Sequence, residues 1–194
     1  MEFVGFPKIA RLSRDIVITE KIDGTNAQVT IVELEGHDMP GALINSEGLA
    51  MFAGSRTRWI TPANDNHGFA RWAADHADEL FLLGPGTHFG EWWGQGIQRG
   101  YGLKEKRFSL FNTHRWGDDA VRPSCCHVVP VLFTGQFDSE AIEYALRALE
   151  STGSVASPGF QNPEGIVVFH TAANLCFKKT VLKDEQPKSK AALI

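Results

Sequence analysis

Cysteine is scarce in this chain, and the three present are badly placed for the tasks cysteines perform in groups. Cys125 and Cys126 are adjacent and Cys176 is distant. An odd count makes a poor disulfide framework, and adjacent cysteines lack the spacing of a zinc site. The seven histidines are scattered, with no His-x-x-x-His pair. No run approaches the roughly eighteen apolar residues of a membrane span, so no membrane partner is expected. Met1-Glu2-Phe3-Val4 has neither the basic start nor the long apolar stretch of a signal peptide, which points to the cytoplasm. Excess positive charge is missing too: 19 Lys and Arg stand against 23 Asp and Glu, a net charge of −4. Bulk charge therefore cannot hold nucleic acid, and any such binding must be local. Local groups exist at Lys8, Arg11 and Arg14, at Arg56 and Arg58, and at Arg99, Lys104, Lys106 and Arg107. There is no internal repeat, linker or low-complexity segment.

What remains is an ordinary globular composition. With 194 residues, 43% apolar and 22% charged, the chain can bury a real core as one domain. We expect that domain over residues 1–183 and a flexible tail, with Lys188 and Lys190, over 184–194. Short strands are expected at residues 16–19, 27–32, 42–44, 49–53, 87–94, 107–116 and 127–133, with a turn at Asn45-Ser46-Glu47-Gly48. A hairpin is expected over Gly165–Phe169 and Leu175–Lys178. Asn64-Asp65 can cap a helix to about Leu80, with Phe69, Trp72, Ala73, His76 and Leu80 on one face. Asp138 or Ser139 can cap a second, with Ile142, Ala145, Leu146 and Leu149 buried and Gly153 ending it. Many short strands with two separate helices predict an α+β fold of mainly antiparallel sheets.

One stretch stands out: Glu20-Lys21-Ile22-Asp23-Gly24-Thr25-Asn26, a lysine between two carboxylates on a short turn bracketed by strand-like runs. A lysine so placed has a fixed position and an exposed amine, which an amine nucleophile needs once its proton is removed. Asp-Gly is also among the commonest hairpin turns, so the heptapeptide alone leaves both readings open.

Further along lie Ser55-Arg56-Thr57, Phe89-Gly90-Glu91, Phe108-Ser109-Leu110-Phe111, Glu164-Gly165-Ile166-Val167 and Phe177-Lys178-Lys179-Thr180. In this order, after Glu-Lys-Ile-Asp-Gly-Thr-Asn, they resemble the motifs of the covalent nucleotidyltransferases, which comprise polynucleotide ligases and mRNA capping enzymes. The similarity is greatest to the RNA ligase branch that seals nicked or duplexed ends, and it covers about residues 3–183. DNA ligases usually carry arginine where Asn26 lies.

The resemblance implies an α+β nucleotidyltransferase (adenylation) domain and an ATP-dependent RNA ligase. Lys21 would form a lysyl-AMP phosphoramidate and release pyrophosphate, and AMP would pass to a 5′-phosphate that is then sealed to a 3′-hydroxyl. It implies catalytic roles for Lys21 and Lys178, and nucleotide contacts from Glu20, Ile22, Asn26, Arg56, Glu91, Phe111 and Lys178. A magnesium or manganese ion would be held by Glu164, with Asp23 contributing through water. Glu91 would accept from the ribose, and Phe111 would stack on the adenine. Phe108 is the rival, on the opposite face of a continuous strand; both rings could also be core. Many relatives have Lys-x-Lys in the last motif, whereas here Lys178 and Lys179 are adjacent and Thr180 is the same-face partner of Lys178, so either one phosphate-facing charge is missing or the strand bulges.

The implied partners are RNA ends, best as a nicked duplex. Because only fourteen residues follow Thr180, we expect no added C-terminal domain and a partner protein that supplies a clamp. A DNA ligase, a GTP-using capping-type enzyme and a non-catalytic nucleic-acid-binding protein of the same fold are the alternatives.

Overall fold

The alternation in Asp15–Lys21 makes strand β1, with Ile16, Ile18 and Glu20 buried on one face and Val17, Thr19 and Lys21 half-buried on the other. The second run makes β2 (Thr25–Glu33), which buries Ala27, Val29 and Ile31. These two strands do not form a hairpin. In this computed structural model, which describes residues 1–182 and 184, β1 pairs with Val131–Gln136 (β9) and Gly165–His170 (β10). By contrast, β2 pairs with Leu49–Ser55 (β4) and Gly86–Gly94 (β6). The expected tail, apart from Asp184, lies outside the described residues.

The other elements are β3 (Ile44–Ser46), β5 (Trp59–Ile60), α1 (Phe69–Asp75), α2 (Ala77–Phe81), β7 (Lys106–Leu110), α3 (Thr113–Trp116), β8 (Cys126–Val128), α4 (Ser139–Thr152) and β11 (Leu175–Thr180). One sheet has the order β11-β10-β1-β9, and the other β3-β4-β2-β6-β7-β8 with β5 on β4. The pairings are antiparallel except for β7 with β8, as the α+β reading requires. No helix among the described residues is long and apolar enough to cross a membrane.

The chain divides into two compact units. One comprises Met1–Lys21 with the described residues from Pro130 on, and the other is Ile22–Val129. In the first, α4 covers one face of the four-stranded sheet, where Ala145 and Leu149 meet Ile16, Ile18, Ile166 and Val168. Asp138 caps α4 by accepting from the Glu140 amide at 2.8 Å, and Gly153, at φ 88°, ends it. In the second, the core includes Val29, Ile31, Phe69, Leu80, Trp92 and Phe108.

Four local expectations need correction. The helix expected from Asn64-Asp65 starts only at Phe69 and breaks at His76 into α1 and α2. Asp65 still serves its start, because its carboxylate accepts from the Ala70 and Arg71 amides at 2.8 and 3.1 Å. The strand expected to reach Trp116 ends at Leu110, because the Asn112 side chain accepts from the Arg115 amide and turns the chain into α3. The run 127–133 is two strands, β8 and β9, broken before Pro130, whose carbonyl accepts from the Glu20 amide at 3.0 Å. Asn45 and Ser46 belong to β3, leaving Glu47 and Gly48 as a two-residue turn with both φ positive, at 48° and 79°.

His88 is buried in the second unit, with Nε2 donating to the Gly84 carbonyl at 2.9 Å and its ring edge-on to Trp116. Burial pushes its pKa below the usual 6.5; the Gly84 hydrogen bond opposes this and the Arg115 charge adds to it. The exposed His127 is lowered as well, by partial desolvation and by Arg107 and Arg122, against Glu105. A histidine with a lowered folded pKa binds fewer protons than in the unfolded chain. Its contribution is therefore intact above pH 6.5 and is lost as pH falls through 6.5 toward the folded value. Urea midpoints should decline over that window. His88→Gln, which keeps a donor for Gly84, should flatten the profile in part. An unaltered slope in that variant would contradict the assignment.

Candidate functional site

Lys21 ends β1 on the sheet face opposite α4. Its Nζ donates to Glu164 Oε2 at 2.5 Å, and Glu164 is only 3% exposed. Glu164 directly precedes β10, whose first residue, Gly165, pairs with Lys21. On β11, Lys178 pairs with Val167, and Val167 pairs with Thr19. Cross-strand partners share a face, so Thr19, Lys21, Val167, Lys178 and Thr180 line one side. Lys179 pairs with Ile166 on the other side and forms an ion pair with Glu143 of α4. The β10–β11 register runs unbroken from Gly165–Thr180 to His170–Leu175, so no bulge brings the two lysines together. Lys178 is exposed and pairs with no described residue.

Glu20, named with the nucleotide contacts, is turned to the α4 side. Its Oε1 accepts from Ser154 Oγ at 2.6 Å, and Oε2 accepts from the Val155 and Ala156 amides, both at 2.8 Å. Those bonds commit the carboxylate to holding the turn after α4.

In the second unit, Ile22 is buried and Asp23 is 8% exposed. Asp23 Oδ2 accepts from Arg99 Nε at 2.9 Å, and its amide donates to Tyr101 Oη at 2.9 Å. Neither Arg99 nor Tyr101 was singled out from the sequence for this task. The signal available was the glycine spacing around them: Gly94, Gly96, Gly100 and Gly102 all have positive φ. Gly24 donates to Glu91 Oε1 at 3.0 Å, and a Cβ there would lie 2.5 Å from the Trp92 carbonyl oxygen.

Asn26 pairs with Glu91, Gln28 with Phe89, and Glu91 with Ser109. Asn26, Gln28, Phe89, Glu91 and Ser109 therefore share the sheet face turned away from α1 and α2. Phe111 follows β7 by one residue, and its amide donates to the Phe89 carbonyl at 2.9 Å. It is 41% exposed, whereas Phe108 is 0% exposed and packs 5.0 Å from the Phe69 ring. Of the two rival rings only Phe111 is open to a ligand. The exposed Phe89 beside it was noted only as part of a motif. Arg56 follows β4, is exposed, and pairs with no described residue.

No group of three or more His, Cys, Asp or Glu among the described residues could hold a metal by itself. Glu164 is a buried oxygen donor and fits a hard cation that keeps waters and substrate phosphates as its other ligands. Both carboxylates already carry a cationic partner, Glu164 in Lys21 and Asp23 in Arg99.

A family profile described as RNA ligase matches residues 14–183. The chain belongs to the RNA ligase family. No curated protein matches it. Among solved structures it is similar to Naegleria gruberi RNA ligase. A variant of that protein with ATP and Mn matches at TM-score 0.59 and 18% identity, over 87% of this chain and 50% of that one. A variant with AMP and Mn gives 0.58 at 18% identity, over 87% and 50%. The same ligase with pyrophosphate gives 0.56 at 18% identity, over 87% and 50%. At this identity the likeness establishes the RNA ligase fold. The chain spans about half the length of these ligases.

The two phenylalanines should separate cleanly on mutation. Phe108→Ala should cost about 3–5 kcal/mol of unfolding free energy, as large core truncations do. Phe111→Ala should stay within about 0.5 kcal/mol of wild type. Urea unfolding followed by circular dichroism measures both, and equal losses would contradict the burial difference.

Proposed function

We propose that this chain is an ATP-dependent RNA ligase that loads AMP onto Lys21, passes it to a 5′-phosphate and seals that end to a 3′-hydroxyl. The observation that carries this reading is the shared face of Lys21 and Lys178, with the Glu164 carboxylate on the Lys21 amine. The Naegleria ligase was solved with ATP, with AMP and with pyrophosphate, the reactant, the transferred group and the leaving group of such a step.

In the proposed step, Lys21 Nζ passes a proton to the Glu164 carboxylate, its partner at 2.5 Å, and from there to water, and the neutral amine attacks the α-phosphorus. The bond from that phosphorus to the bridging oxygen breaks, and pyrophosphate departs with its electron pair. Lys178, a cation on the same face, stabilises the charge that develops on the phosphate. Glu164 is proposed to hold a magnesium or manganese ion, which would supply Lewis-acid charge for the phosphates. Asp23, held by Arg99, keeps the motif turn in place and contributes to metal binding only through water.

On the second unit, we assign the ribose to Glu91 and the adenine to Phe111. Arg56 is assigned to the ribose or the incoming 5′-phosphate, Asn26 to the nucleotide or the nick, and Ile22 to the nucleotide contacts. The substrate proposed is a nicked RNA duplex in the cytoplasm. The template aligns the ends and a partner protein acts as clamp, since an acidic chain has little charge for gripping two strands. GTP and DNA arms of the same assay test the capping-type and DNA ligase alternatives.

Incubation with ATP and magnesium should add AMP to Lys21, read by mass spectrometry, and Lys21→Ala should abolish the adduct. Glu164→Ala and Lys178→Ala should each slow its formation about 100- to 1000-fold. Lys179→Ala should have a mild effect, because its amine serves Glu143 on the other face. Labelling of the Lys21→Ala variant, or equal collapse with Lys178→Ala and Lys179→Ala, would overturn these roles.

A further inference from the structure

Several basic groups of the sequence are taken by local partners, while Arg56 and Lys104, in the unit Ile22–Val129, stand singly without one among the described residues. Lys106 donates to the His67 carbonyl at 2.7 Å, and Arg107 is taken by Glu105 and the Trp93 ring. Arg58 holds the Asn64 carbonyl at 3.0 Å, and Arg99 holds Asp23. Lys8, Arg11 and Arg14 differ. All three are exposed, and none forms an ion pair or side-chain hydrogen bond with a described residue, although Glu2 and Asp15 lie nearby in sequence.

These three side chains also share a concavity. Lys8, Ile9, Ala10, Arg11, Arg14 and Ala172 line a groove of about 530 Å³. The segment is anchored where it meets the four-stranded sheet. The buried His170 donates from Nε2 to the Leu12 carbonyl at 2.8 Å, and its Nδ1 accepts from the Ala173 amide at 3.1 Å. The Arg14 carbonyl accepts from the Phe137 amide at 2.8 Å, and the Asp15 carbonyl from the Thr171 amide at 3.0 Å. One histidine thus ties the basic segment to the β10–β11 turn, which forms the opposite wall. Before this anchor, Phe3 and Phe6 are 91% and 85% exposed.

We propose that this groove is a binding site for the phosphate backbone of the RNA substrate, with Lys8, Arg11 and Arg14 as its cations and Phe3 and Phe6 as stacking surfaces for unpaired bases. The proposal rests on the RNA ligase reading above. Three cations without acidic partners among the described residues suit a polyanion, and single-strand-binding surfaces combine such a groove with exposed aromatic rings. A concave, walled groove suits a strand better than a flat lipid surface. None of these residues belongs to the adenylation machinery, so binding and self-adenylation should separate on mutation.

The test uses the full chain as wild type, as the triple variant Lys8→Ala, Arg11→Ala, Arg14→Ala, and as Ala172→Glu, which puts a carboxylate on the far wall. Fluorescence anisotropy with a labelled nicked RNA duplex bearing a single-stranded overhang is recorded across a salt series, alongside AMP loading by mass spectrometry. The triple variant should lower the slope of log affinity against log salt by about two, as expected for three lost single-strand contacts. Ala172→Glu should weaken binding in the same direction, and both should load AMP like wild type. Unchanged slope and affinity in the triple variant, with AMP loading intact, would overturn the groove and leave the ligase reading standing. Loss of binding to phosphatidylserine vesicles with RNA binding unchanged would overturn it in favour of a membrane. Absence of AMP loading in wild type, with RNA binding still dependent on the three cations, would support the groove and defeat the ligase reading.

Discussion

Between Lys21 and Thr25 the chain has three residues in which to leave one sheet and enter the other, and the packing of those three constrains everything near the motif. Gly24 lies so close to the Trp92 carbonyl that a Cβ would stand 2.5 Å away. Its amide is held by Glu91, while Asp23 is held from both ends, by Arg99 at the carboxylate and by Tyr101 at the amide. Upstream, Glu20 is buried under three hydrogen bonds from residues 154–156. The carboxylates on either side of Lys21 are each anchored, Glu20 in the first unit and Asp23 in the second. The acidic residues beside Lys21 thus act mainly by fixing the chain.

The second organising principle is strand alternation. In the four-stranded sheet it sends Lys178 to the Lys21 face and Lys179 to Glu143, so adjacent lysines have unrelated tasks. In the seven-stranded sheet it sends Phe108 into the core, while Phe111, just past the strand end, lies open beside Phe89. A one-residue slip in either register would exchange these roles and bury a charge, so the apolar face protects the polar one.

Charge follows a similar economy. The chain is acidic overall, and several of its cations are consumed by local carbonyls, carboxylates or rings. Three that remain available, Lys8, Arg11 and Arg14, lie on one segment before the four-stranded sheet, held by His170 at the Leu12 carbonyl and by Phe137 at the Arg14 carbonyl. Local placement of a few charges therefore matters more to this protein than its net charge.

The sequence by itself determined the α+β class, the strands carrying most of the ordered motifs, and the cap and end of α4, while the unbroken β10–β11 register decided that Lys178 and Lys179 face opposite ways. The class, the strands and the cap follow from periodicity and capping, which are properties of neighbours along the chain. Only the tertiary structure decided that Asp23-Gly24 joins two sheets and is not a hairpin turn, because strand pairing depends on partners more than a hundred residues away for β1. It also decided that Glu20 holds the turn after α4, that Arg99 and Tyr101 hold Asp23, and that Phe108 is core while Phe111 is open. Each of those outcomes is set by what lies across a sheet or under a helix, and no local pattern encodes a partner distant in sequence.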